Sequence, residues 1–260
     1  MKIQNIKLSP SAIALFKSCP QKFIYSTLRV KEERPMDMDN LSAADWGTLF
    51  HTAAAQHYQG QEVLPSGNSL VDMRFREYLK HYPNDPIGMK AEQKVERQLT
   101  PVIDLIGTAD LVDEVNRVIW DHKTTSRISE KDDIKFKMRD QFIHYGWCLG
   151  WDSGFDVVVN QVSSAINPTI KFRRIQFHVS ESVIQDWLVR TQAVAESIVK
   201  RIELQDAYLF KSAGDTCADW GGCYYADPCR MGLYGPESPN EDLTNPHFSI
   251  NYNNKETTHG

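Results

Sequence analysis

Apolar positions along the chain change period twice, from helical to alternating and back again. Ser9-Pro10-Ser11 predicts a helix start, with a capping hydroxyl followed by Pro at the first helical position, where its missing N–H is not needed. Ile13, Leu15 and Phe16 give that helix an apolar side, and Cys19-Pro20 interrupts it. An aromatic stretch follows at Phe23, Ile24, Tyr25 and Leu28, and residues 31–40, charged and Pro-containing, read as a loop. Helical spacing resumes over residues 45–58 and, after a Gly/Pro/Ser loop, over residues 71–81. Strand patterns then take over at residues 92–99, 105–112 and 117–124, with Asp113, Glu114 and Asn116 as turn formers before the third. Residues 132–151 predict one helix, and two β-rich runs follow at 155–166 and 170–179. Residues 180–204 predict a long amphipathic helix with Val183, Trp187, Val194 and Ile198 on its apolar side. No internal repeat is visible. Helical flanks around a mixed central sheet make the fold class α/β.

A length of 260 residues suits one large domain or two small ones. The expected organisation is one domain over residues 1–230, followed by a loose tail rich in Asn, Pro and Gly over 231–260. No apolar run approaches the roughly 20 residues that span a bilayer, and the opening Met1 to Lys7 lacks the apolar stretch of a secretory signal. The expected compartment is therefore the cytoplasm, without membrane attachment, which disfavours structural disulfides for the 5 cysteines. A net charge of −5 counts against a nucleic-acid partner, because Lys and Arg neutralising phosphate supply much of that affinity. A local groove or bound metal ions can override the average.

Four short segments hold candidate chemistry. In Ile119-Trp120-Asp121-His122-Lys123 on a strand, Asp121 and Lys123 share a face. A carboxylate beside an ammonium can hold a metal ion and steady a nucleophilic water or developing negative charge; alone, the pair reads equally as a surface salt bridge. Ile106-Gly107-Thr108-Ala109-Asp110 offers a second carboxylate from a neighbouring strand, and Mg²⁺ commonly takes only one or two carboxylates plus water and phosphate. Gln141 and Tyr145, four apart on a helix, stack an amide and a phenol that can orient a lysine or meet phosphate. Gly47 and Ala53 to Ala55 allow close packing of their helix, which would bring His51 towards the carboxylates; alone, His51 reads as a structural histidine. Lys135, Lys137 and Arg139 could line an approach for nucleic acid, although Asp132, Asp133 and Asp140 dilute them.

The cysteines add a further feature. Cys217, Cys223 and Cys229 recur at intervals of five intervening residues, a spacing that suggests thiolate ligands for a metal or cluster. Cys19, beside Pro20, is the natural fourth ligand, and Cys148 sits mid-helix in an apolar context. Four thiolates suit zinc or an iron–sulfur cluster.

Taken in order, these segments resemble the RecB-type PD-(D/E)xK nucleases, in particular the iron–sulfur branch that includes CRISPR-associated RecB-like exonucleases, AddB nuclease domains and many phage exonucleases. The resemblance runs from Leu8 to Cys229 and is carried by the opening Leu8 to Tyr25, Gly47-x-x-x-His51, Gly107-x-x-Asp110, Asp121-x-Lys123, Gln141-x-x-x-Tyr145 and the cysteine cluster. It implies a PD-(D/E)xK core and a metal-dependent DNA exonuclease, acting on ends and preferring single strands, in recombination, repair or replication. His51, Asp110, Asp121 and the backbone carbonyl of His122 would hold Mg²⁺ or Mn²⁺. Lys123 would position the attacking water, and Gln141 and Tyr145 would orient Lys123 and contact DNA. Cys19, Cys217, Cys223 and Cys229 would ligate a [4Fe–4S] cluster, with zinc as the competing occupant. A recombination, replication or CRISPR-associated protein partner is compatible with it, and a phage-encoded chain would work in the host cytoplasm. Two features depart from the pattern: Asp121 stands where many members have Glu, and the interval between Cys217 and Cys223 is longer than usual. The alternatives are an inactive DNA-binding module with a structural cluster or zinc site, and a redox protein, which leaves the carboxylates and lysine unexplained.

Overall fold

The computed structural model describes residues 3–4, 6–23, 36–38, 40–203, 217 and 251–252. In chain order its elements are β1 (Ile3–Gln4), β2 (Ile6–Leu8), α1 (Pro10–Ser18), α2 (Ala43–Tyr58), α3 (Ser69–His81), β3 (Lys90–Thr100), β4 (Ile103–Asp113), β5 (Val118–Thr125), α4 (Asp132–Lys137), α5 (Asp140–Cys148), β6 (Gly154–Ser163), β7 (Phe172–Ser180), α6 (Glu181–Glu203) and β8 (Asn251–Tyr252). They divide into two compact units, one of Met1–Glu32, Glu96–Ile106 and Gln185–Gly260, the other of Glu33–Val95 and Gly107–Ile184.

In the first unit, Ser9 caps α1 by accepting the Ala12 N–H at 3.2 Å, with Pro10 at the first helical position. Ile13 and Phe16 are the buried side of this helix, and Cys19, in extended backbone, ends it. β2 runs parallel to the first residues of β4, pairing Ile6 with Ile103 and Leu8 with Leu105. Asn251 and Tyr252 pair antiparallel with β1; the rest of the C-terminal segment lies outside the described residues.

In the second unit, β4 pairs antiparallel with β5, β5 parallel with β6, and β6 antiparallel with β7. The parallel pair needs a crossover, which α4 and α5 supply. Side-chain caps set both long helices. Ser42 and Asp45 form a reciprocal capping box at α2, and Asn68 accepts the Leu70 and Val71 N–H groups at α3. Alternation along the strands then divides their side chains between two faces. Leu111, Trp120, Val158 and Val162 join Phe50 and Phe75 of the two helices in one apolar core. Arg74, fully buried in α3, donates to the carbonyls of Ser163 and Ala165 at 2.6 and 2.9 Å, tying the helix to the end of β6. The opposite face receives α5, which packs on β5 and β6.

The single helix expected over residues 132–151 is two short ones. Arg139 adopts extended backbone between them and lays its guanidinium 4.9 Å from the Phe136 ring centroid. Phe136 and Phe142, six residues apart, would point to different sides of a continuous helix; the break lets both turn inward, where they are 3% and 0% exposed. In α6 the buried stripe is Ile184, Trp187, Thr191, Ala195 and Ile198, whereas Val183 is exposed. Trp187 and Ile198 thus lie on the expected apolar side and Val194 is half-buried, while Ile184 takes the inward place expected for Val183.

Gly146 is where α5 comes closest to β6. A Cβ there would stand 2.1 Å from the Phe155 ring, itself buried. Gly146→Ala should destabilise the chain by about 1–3 kcal/mol, read by urea denaturation, since the buried ring has no room to retreat. An unchanged midpoint would contradict this packing.

Candidate active site

β4 and β5 bring the two carboxylates together by register alone. Val112 pairs with Ile119, so Asp110, two residues before Val112, and Asp121, two residues after Ile119, share one face. Lys123 follows on the same face and its Nζ donates to Asp121 Oδ1 at 2.7 Å. Asp110 Oδ2 accepts the His122 backbone N–H at 3.0 Å and lies 3.3 Å from His51 Nδ1. From α5, Gln141 Nε2 donates to the Tyr145 hydroxyl at 3.2 Å. The charges of Asp121 and Asp110 both act on that phenol, raising its pKa beyond what its burial already does. His51, Asp110, Asp121, Lys123, Gln141 and Tyr145 therefore converge on one place.

Two glycines allow that convergence. A Cβ at Gly107 would stand 2.5 Å from Tyr145 Cε1, so the ring reaches the carboxylates only across a bare backbone. A Cβ at Gly47 would stand 2.9 Å from Thr124 Oγ1. Gly47 thus lets α2 approach the end of β5, and His51 follows one turn later.

The electrostatics are dominated by Asp121, which is 1% exposed. Burial pushes its carboxyl up, to about 6, and the charge of Asp110 pushes the same way, while Lys123 and His51 pull it down. Its Oδ2 is buried with no hydrogen-bond partner. Among the described residues no three His, Cys, Asp or Glu side chains are gathered closely enough to hold a metal ion. The donors nevertheless fit a hard divalent cation: two carboxylates and an imidazole, with one buried carboxylate oxygen unpartnered.

His122 takes a different part from its neighbours. Its backbone N–H serves Asp110, while its imidazole faces the other side of the sheet, with Nε2 3.1 Å from the Tyr78 hydroxyl and 3.5 Å from Asn160 Nδ2. Burial, and the charges of His51, Arg174 and Lys123, hold its pKa well below the usual histidine range, so the ring is neutral. Behind it, Tyr58 and Arg174 converge on Asp85, Arg174 by two bonds of 2.6 and 2.5 Å, and Arg174 also donates to Asn160 Oδ1 at 2.7 Å. This network was not anticipated. Its only sequence signal is polar residues such as Asn160 and Arg174 inside strand patterns.

A groove of about 610 Å³ runs beside α2, lined by Gly47, Thr48, His51, Thr52, Gln56 and Glu92 among others. Glu92 was also missed: it has a left-handed backbone, φ 48°, within β3, and its charge reaches Tyr145. Glutamate carries no sequence preference that marks such a conformation.

Of the cysteines, Cys19 is buried and its Sγ accepts the Lys22 N–H at 3.3 Å. Cys217 is exposed, and Cys223 and Cys229 lie outside the described residues. Among the described residues no helix is long and apolar enough to cross a membrane.

Comparison with known proteins gives one partial family match and similar folds. Residues 7–82 match the family model of the PD-(D/E)XK nuclease superfamily. No curated protein matches the chain. The fold is similar to a candidate exonuclease from Eubacterium rectale, at 12% identity and a TM-score of 0.50, covering 89% of this chain and 91% of the other. A phage-related exonuclease from Haemophilus somnus aligns at 11% identity and a TM-score of 0.40, covering 77% of this chain and 96% of that one. The mixed sheet flanked by helices and the match over residues 7–82 are consistent with a PD-(D/E)xK core.

Tyr78 links His122 to the Asp85–Arg174 pair. Tyr78→Phe removes a buried hydroxyl from His122 Nε2 and should cost about 1–3 kcal/mol in urea denaturation. Stability equal to the unsubstituted chain would mean that the network does not hold β5.

Proposed function

We propose that this chain is a divalent-metal-dependent deoxyribonuclease of the PD-(D/E)xK type, acting as an exonuclease on DNA ends with a preference for single strands. The observation that carries the reading is the convergence of Asp110, Asp121 and Lys123, on adjacent strands, with His51 from α2 and Tyr145 from α5. Exonuclease action and strand preference rest on the resemblance of the motifs.

Asp110, Asp121 and His51 would hold the metal ion, with the His122 carbonyl as a further donor. When bound, a divalent ion supplies Lewis-acid charge at the scissile phosphate. Lys123, an ammonium, donates hydrogen bonds and accepts none; its Nζ can orient an incoming water and screen the charge gathering on the phosphoryl oxygens. Burial holds the Tyr145 phenol protonated, and its oxygen already accepts from Gln141. The Tyr145 O–H would remain a donor for a phosphate oxygen brought to the site. None of these residues needs the acidic surface as a whole to attract DNA, because the ion brings positive charge to the point of contact.

Cys19 extends the reading to the first unit. Its buried Sγ accepts a backbone N–H, a contact that suits a sulfur ligating a [4Fe–4S] cluster with Cys217, Cys223 and Cys229. Protein purified anaerobically should contain iron and acid-labile sulfide in equal amounts, sharply reduced in Cys19→Ser. Zinc in place of iron would overturn the cluster and leave the nuclease reading intact.

End-labelled single-stranded DNA should be degraded with Mg²⁺ or Mn²⁺ and left intact in EDTA. Lys123→Ala and Asp110→Ala should each lower the rate at least roughly 10²–10³-fold while the far-ultraviolet circular dichroism is retained. Full activity in both variants would refute the active site.

A further inference from the structure

The stretch between Lys123 and Gln141 carries a surface that the nuclease site does not use. Ile134 and Met138 are 72% and 77% exposed, although both are large and apolar. Four residues apart, they lie on one side of α4 and its C-terminal cap, while Phe136 between them is buried and anchors the segment. Lys131, Lys135 and Lys137 are exposed around them.

The aspartates of α4 have partners on the body of the unit, although the charges of Asp132 and Lys135 also act on each other. Asp132 Oδ2 accepts from the Ser129 N–H at 3.1 Å and from Gln161 Nε2 at 2.8 Å, and Asp133 pairs with Arg173 at 2.7 Å. Glu130 and Asp140 stand outside the helix, at its two ends.

The same bonds locate the surface relative to the active site. Gln161 is the residue of β6 that pairs with Lys123 of β5, and its side chain holds the start of α4. The helix is therefore fixed one hydrogen bond away from the strand neighbour of Lys123, and Gln141 begins the next helix just beyond it. Amino groups bind phosphates, and exposed aliphatic side chains between them meet base surfaces that only an unpaired strand presents, since a duplex keeps its base faces stacked.

We propose that Ile134, Lys135, Lys137 and Met138 form a docking ridge for single-stranded nucleic acid on its way to Lys123. The proposal rests on the nuclease reading for the destination of the strand, and its test does not depend on cleavage. Binding of a labelled oligothymidylate to the full chain in EDTA is followed by fluorescence anisotropy over a range of salt concentrations, beside the same strand annealed to its complement. Lys135→Gln/Lys137→Gln should weaken binding and lower the slope of log K against log salt by about 1.4, at ~0.7 per cation removed. Ile134→Ser/Met138→Ser should weaken single-strand binding roughly tenfold with the slope unchanged, and leave the weaker duplex binding alone.

All four side chains are exposed, so both variants should fold. Hydrolysis of a small chromogenic phosphodiester, too short to reach α4, should be unaltered in them and lost in Lys123→Ala. Wild-type affinity and slope in both variants would overturn the ridge, as would equal losses on single strands and duplex in the serine variant. A wild-type chain that binds the oligonucleotide through these residues and hydrolyses neither substrate would instead overturn the nuclease reading.

Discussion

A buried carboxylate set beside a second carboxylate is the constraint on which the second unit turns. Removing Asp121 from water favours its neutral form, and the nearby charge of Asp110 works in the same direction. Lys123 answers only one of its oxygens, and the other remains buried and unpartnered. Asp110 shares one oxygen between His51 and a backbone N–H. As a purely structural ion pair this would be a poor arrangement, since desolvation of the charges offsets much of their attraction. A divalent cation held between the two carboxylates would offset their mutual repulsion and favour the ionised form of both. Strongly perturbed carboxylates of this kind concentrate at functional sites for that reason.

Alternation along β5 lets the strand serve two faces. Asp121 and Lys123 point towards α5, while Trp120 and His122 point into the core beneath α2 and α3. The second face holds a neutral imidazole among Tyr78, Asn160 and the Asp85–Arg174 pair, so the middle of β5 is fixed from behind by polar contacts rather than by apolar packing alone. Two bare backbones, Gly47 and Gly107, then admit the helices that carry His51 and Tyr145. Strand alternation, a polar backing and two close approaches together place six side chains drawn from four elements.

Features set by local chemistry were legible from residues alone. Ser9-Pro10 at α1, the C-terminal ends of α2 and α3, and the strands bearing Asp110 and Asp121 all depend on caps, turns or alternation within a few positions. The convergence of His51, Asp110, Asp121, Lys123, Gln141 and Tyr145 was legible only through the order of motifs, since each is too short to specify contacts. The break at Arg139 was missed because helical spacing over residues 132–151 looks continuous, and only burial of both Phe136 and Phe142 requires the helix to break. The Asp85–Arg174–Asn160–His122 network joins residues far apart in sequence, and no local pattern marks it. Glu92 was hidden by a left-handed backbone that glutamate rarely adopts.

The central claim is that Asp110 and Asp121 are crowded in order to hold a cation. Mn²⁺ binding to the full chain, followed by the loss of the free-ion electron paramagnetic resonance signal, reads this without reference to cleavage. The account predicts saturable binding that weakens at least roughly tenfold in Asp110→Asn and in Asp121→Asn. Equal affinity in all three proteins, or no binding to the unsubstituted chain, would contradict it.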